Sequence, residues 1–93
     1  QDGFIVCDSL LCMLPKTNIG AMYEFLLREN YTLEGMMFSV NNQDVILSTF
    51  IFDQYLTYET GLETMKTLFA NADRYDTLLL EQYGAQPRVT DEA

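Results

Sequence analysis

Val45-Ile46-Leu47-Ser48-Thr49-Phe50-Ile51-Phe52 is a run of β-branched and aromatic residues that suits a pleated strand far better than a helix. Asn41-Asn42-Gln43-Asp44 stands before it, four turn formers in a row, and Met36 to Val40 is a second β-leaning run before those. The two runs and the turn predict a hairpin. The period of two sends Val45, Leu47 and Ile51 to one side of the second strand and Ile46, Phe50 and Phe52 to the other. Both sides are apolar, and that observation organises the rest of the chain.

Upstream, Phe4 to Leu14 is another apolar strand, ended by Pro15. Strict alternation sets Phe4, Val6, Leu10 and Leu14 against Ile5, Leu11 and Met13. Lys16-Thr17-Asn18 offers N-cap chemistry, and Ile19, Met22, Tyr23, Leu26 and Leu27 recur at helical spacing, predicting a helix over 18–29 that releases near Asn30. Downstream, 53–58 reads as a connector, and Thr60-Gly61-Leu62-Glu63 fits a capping box. Leu62, Met65, Leu68, Phe69, Ala72, Tyr75, Leu79 and Tyr83 then form the apolar stripe of a long helix, stopped by Gly84. The predicted fold is α+β, order β-α-β-β-α, a mostly antiparallel sheet with both helices packed on one face. Residues 1–85 form the domain, and 86–93, polar and containing Pro87, read as a frayed tail. Asp2-Gly3 is a favoured hairpin connection, which predicts a partner strand ahead of residue 1 and a longer parent domain.

A sheet covered by helices on one face normally turns a polar face to water. Here six or more large apolar side chains compete for the second face. Each is worth roughly 1.5–3 kcal/mol when buried, so together they rival the stability of a small domain. A missing segment, a second copy or a bound partner is expected to cover them. Met13, Met37, Ile46, Phe50 and Phe52 are the candidate partner or dimer interface, and methionine suits an adaptable surface.

Composition excludes more than it proposes. With 93 residues the chain has room for one domain, and 48% apolar content is ordinary for a folded core. Fourteen Asp and Glu against five Lys and Arg give a net charge of −9, which disfavours nucleic acid and anionic membranes as partners. No histidine is present, and Gly20, Gly35, Gly61 and Gly84 stand alone rather than in a phosphate loop. Ser9, Ser39 and Ser48 have no histidine base, and Asp73 and Asp76, flanking Arg74, read as a solvated helix face with local ion pairing. No enzyme activity, metal, cofactor or small-molecule substrate is expected. Cys7 and Cys12, five apart on one strand, fall on opposite faces about 16 Å apart, beyond the roughly 7 Å of a disulfide. Two free thiols favour a reducing, cytoplasmic setting.

Asn71-Ala72-Asp73-Arg74-Tyr75-Asp76-Thr77-Leu78-Leu79, followed by Glu81-Gln82-Tyr83-Gly84, resembles the C-terminal helix of YbjN-domain proteins. Met22-Tyr23-Glu24-Phe25-Leu26-Leu27-Arg28-Glu29-Asn30 is similar to that family's middle helix, and the hairpin falls where the family has one. The resemblance spans residues 4–84. It implies a type III secretion chaperone-like fold, often dimeric, of the kind called bacterial sensory-transduction regulators or Tir-chaperone-like proteins, with no enzymatic site. The family's first helix and the strands after it are absent or shortened here, so another chain or segment is expected to complete the fold. The combined expectation is a non-catalytic, chaperone-like interaction or regulatory domain that binds a partner polypeptide or itself through an apolar sheet face. The alternative is a purely structural half of a tandem domain without a client.

Overall fold

A computed structural model describes residues 3–52 and 56–88. The elements run β1 (Phe4–Met13), α1 (Ile19–Thr32), β2 (Met36–Asn41), β3 (Asp44–Phe52), α2 (Tyr58–Tyr83) and β4 (Gln86–Pro87). All strand pairs are antiparallel, in the order β2-β3-β1-β4. The α+β class holds, with a four-stranded antiparallel sheet and two helices; the strand β4 is not among the predicted elements. Asp2 and the first half of the 53–58 connector lie outside the described residues. Tyr58 already belongs to α2.

The β2–β3 hairpin turns on Asn42 and Gln43, with Asn41 paired to Asp44. Asn42 takes a φ of 57°, the left-handed conformation that tight hairpin turns need and that Asn tolerates. Val45, Leu47 and Thr49 are buried beneath the helices. The Thr49 hydroxyl is satisfied there, donating to the Gly35 carbonyl at 2.6 Å. Leu11, Met22, Leu68 and Leu79 complete the fully buried centre.

A bulge in β1 changes two expectations. The pairing Leu10↔Ile46 is followed by Cys12↔Val45, so Leu11 is an extra residue opposite no partner. Cys7 pairs with Thr49 and Cys12 with Val45, and those partners share the helix-covered face. The two cysteines therefore lie on the same face, not opposite faces, and both remain free thiols. The bulge also lets Leu11 and Cys12 enter the core together, while Met13, now opposite Asp44, joins Leu10 on the outer side. Leu14 lies past the strand end, buried in the core rather than beside Phe4 and Val6.

The helix starts also differ from expectation. Asn18 occupies the N-cap of α1 in the left-handed region and makes no side-chain capping bond. Instead, its carbonyl accepts from the amides of Ala21 and Met22. The capping box of α2 is Thr57 with Thr60, one turn earlier than the Thr60–Glu63 box the sequence suggests. A Thr at N3 fills the role given to Glu63, its hydroxyl accepting from the Thr57 amide at 2.8 Å. Gly84 closes α2 at φ 71°, as its position predicts. Of the apolar stripe, Leu68, Ala72, Tyr75 and Leu79 are buried, whereas Leu62 and Phe69 are exposed at its margins.

Gln86 and Pro87, read from sequence as the start of a frayed tail, pair with Met13 and Cys12 as β4. Gln86 adds a side-chain bond, donating from Nε2 to the Leu14 carbonyl at 3.0 Å. Asn30, expected to end the first helix, lies within α1 and turns its amide onto β2. Its Oδ1 accepts from the Phe38 amide at 2.6 Å, and its Nδ2 donates to the Phe38 carbonyl at 3.2 Å. One side chain thus occupies the outer edge of β2 as a neighbouring strand would. Asn30→Ala leaves both Phe38 groups without these partners, and the expected loss is about 1–3 kcal/mol in a urea melt, with the helical signal retained. An unchanged midpoint would contradict a structural role for this bracket.

Candidate functional site

The residues opposite the helices form the candidate site. From β1 come Phe4, Val6, Asp8, Leu10 and Met13. In β3, their partners Phe52, Phe50, Ser48, Ile46 and Asp44 face the same way. Met37, opposite Ser48, extends the face onto β2. All five residues proposed from sequence, Met13, Met37, Ile46, Phe50 and Phe52, therefore meet on one face, although Met13 arrives there through the bulge.

At the end of the sheet where β1 begins, the face is conspicuously apolar. Phe4 is 57% exposed, Val6 54%, Met37 51%, Phe52 49% and Phe50 43%. The rings of Phe4, Phe50 and Phe52 pack edge to face, with centroids 5.8–6.1 Å apart. Each ring satisfies its neighbours' quadrupole and still leaves area open to water. Sequence parity supplied Phe50 and Phe52 as candidates. Parity groups Phe4 with Val6 but does not say which sheet face they share, and their pairing with Phe52 and Phe50 is what adds them to the interface residues.

The electrostatics of this face are one-sided. Asp8 and Asp44 are its charged groups, and no Lys or Arg faces out from the sheet among the described residues. Asp8 is held in place by the Ser48 hydroxyl, which donates to its Oδ1 at 2.5 Å.

The helix-covered side carries the titration behaviour. Burial, with the Asp76 carboxylate adding to it, pushes the Cys12 thiol up to about 12. Tyr75 is also raised, first by burial and then by its hydrogen bond to Glu29, whose Oε1 accepts from the phenol at 2.6 Å. That bond ties α2 to α1, while the Tyr75 ring meets Phe38 edge-on at 4.8 Å. A thiol held protonated and buried is a poor nucleophile. Both raised groups bind their protons more tightly when folded than when unfolded. Their contribution to stability is therefore complete below pH 9 and declines as pH rises toward 12, at roughly 1.4 kcal/mol per unit for Cys12. Cys12→Ala is expected to flatten the alkaline side of the thermal-stability profile. A profile as steep as that of the unsubstituted chain would contradict the assignment.

Two further clefts lie beside α2. An apolar cleft of about 570 Å³ lies between the start of α2 and the sheet end, lined by Ile5, Ile51, Leu62 and Met65 among others. A smaller groove of about 240 Å³ runs between β1 and α2, with Asp73, Asp76 and Arg88 in its walls. The local ion pairing expected of Asp73 and Asp76 does not form among the described residues, where the sole ion pair joins Arg28 to Glu24. Arg74 turns instead to Asn71 and to the Tyr75 ring. No group of three metal-ligating side chains occurs among the described residues, and no described helix is long and apolar enough to cross a membrane. Comparisons with protein-family models, curated proteins and solved structures find no match to this chain.

Proposed function

We propose that the chain is a non-catalytic protein-interaction domain, chaperone-like in that it holds another polypeptide, and that the outer face of its sheet is the binding surface. The observation that carries this reading is the cluster of Phe4, Phe50 and Phe52 with Val6 and Met37, five large apolar side chains half open to water on the side of the sheet away from the helices. A face of that kind is expected to be an interaction site, since leaving it in water forfeits most of its burial energy. The resemblance of Asn71 to Gly84 to the YbjN-domain helix, read from the sequence and matched by no family model, implies the same kind of role.

Charge favours one occupant. The face bears two carboxylates without a cation, and the whole chain has a net charge of −9. A second copy stacked face to face would set carboxylate against carboxylate. An amphipathic partner with an apolar stripe flanked by Lys or Arg meets both features.

A synthetic amphipathic helix of leucine and lysine, labelled with a fluorophore, provides the test. Anisotropy should show saturable binding that weakens with salt, while the same peptide with glutamate for lysine should not bind. Light scattering should give the free chain a mass near 10.7 kDa. Equal binding of both peptides would remove the charge argument. A stable dimer that dissociates on Phe50→Asp would make a second copy the occupant instead.

A further inference from the structure

Among the described residues, the second long edge of the sheet is open beyond β4. Strand β2 is bracketed at Phe38 by the Asn30 amide, but β4 reaches only Cys12 and Met13 of β1. The direction of the free backbone groups along β1 follows from one contact. Arg88, just after β4, donates from Nη1 to the Leu10 carbonyl at 2.9 Å, so that carbonyl points away from β3. Backbone groups in a strand alternate sides with a period of two. Asp8, Val6 and Phe4 therefore present their amides and carbonyls to the same side as Leu10, where β4 does not reach. Natural sheets usually protect such an edge with a proline, a lysine or a bulge. Phe4 to Leu10 contains neither proline nor lysine, the bulge begins after Leu10, and Asp8 is its single charged residue.

The groove beside that edge carries the matching charge. Ser9, Leu10 and Leu11 form one wall, Phe69, Asp73 and Asp76 of α2 face them, and Arg88 is the one cation in the lining, against two carboxylates. Asp76 Oδ1 is buried and has no hydrogen-bond partner among the described residues. The short β4 already demonstrates the geometry, a strand added to β1 that sends a guanidinium back to its edge.

We propose that the Phe4–Asp8 edge of β1 accepts an extended segment of a partner polypeptide as an added strand, and that Lys or Arg side chains on its helix side settle beside Arg88 over Asp73 and Asp76. This rests on the interaction reading above for the existence of a partner, and it names a different surface and a more specific chemistry. The apolar side chains of such a segment would continue the outer face beside Phe4 and Val6.

The probe is a blocked seven-residue peptide of alternating valine and lysine, with a glutamate-for-lysine control. Hydrogen exchange followed by NMR should show the Val6 and Asp8 amides open in the free chain and slowed at least tenfold by the lysine peptide alone. Val6→Pro removes an amide that points away from β3, so the fold and its melting should persist while binding falls at least tenfold. Asp73→Asn with Asp76→Asn should weaken the lysine peptide about tenfold. Equal binding to Val6→Pro, or equal binding of the two peptides, would overturn the proposal. So would Val6 and Asp8 amides already protected before any peptide is added, because the edge would then be occupied by a second copy or by more of this chain. Sensitivity to Phe50→Asp without sensitivity to Val6→Pro would return the peptide to the outer face and overturn the edge alone.

Discussion

Phe50→Asp is expected to leave the fold standing and to abolish binding of a cationic amphipathic partner. Phe50 is 43% exposed, and its ring contacts are the two edge-to-face neighbours Phe4 and Phe52. Losing both costs about 1–2 kcal/mol, which a small domain survives. At an occupied interface the same change removes a large apolar anchor and puts a carboxylate in its place. Central aromatic residues of that kind carry roughly 2–4 kcal/mol of binding, a loss of about thirty- to a thousand-fold. Circular dichroism and a urea melt measure the first effect, and anisotropy the second. Retained affinity in a folded Phe50→Asp chain would remove the outer face from the account.

The second large effect falls three residues earlier, on the other side of the same strand. Leu47 is fully buried, paired between Ser9 and Phe38 under the helices. Leu47→Ala is expected to cost about 2–5 kcal/mol, through lost burial and the cavity left behind. Against a total of about 5–15 kcal/mol for a domain, that is a large share. Denaturant titration should move the midpoint down steeply, while peptide affinity of the remaining folded protein stays close to that of the unsubstituted chain. The two substitutions separate the faces, one acting on stability and the other on binding. A Leu47→Ala chain as stable as the original would place the core elsewhere.

Much of this was readable in the sequence because strand parity is a rigid rule. Val45 and Leu47 against Ile46, Phe50 and Phe52 needed only the period of two, and β3 contains no irregularity to break it. Strand β1 does contain one. Nothing in Leu10-Leu11-Cys12-Met13 marks Leu11 as the extra residue, because all four are apolar and any of them would suit either face. The position of the bulge is decided by packing, when Leu11 and Cys12 both find room under the helices. The α2 start moved a turn because Thr57 and Thr60 satisfy the free amides as well as Thr60 and Glu63 could have done, and the sequence offered no means to rank them.

The open β1 edge was invisible for a related reason. It depends on where β4 stops, and β4 is two residues long, one of them a proline that composition assigns to a tail. The helical spacing runs out near Asn30, yet Asn30 lies inside α1. Its bracket on Phe38 is a tertiary contact, and no local pattern announces it. Methionine suits a core as well as a surface, and for Met37 and Met13 the register is what assigns them to the outer face.

The most direct test of the central claim, that this sheet has a core face and a docking face, is an amide NMR titration of the labelled chain with the leucine–lysine peptide. Shifts are expected to concentrate at Phe4, Val6, Met37, Phe50 and Phe52, with Val45, Leu47 and Leu79 little changed. Saturating peptide that leaves those five amides unmoved, or shifts confined to α1 and α2, would contradict it.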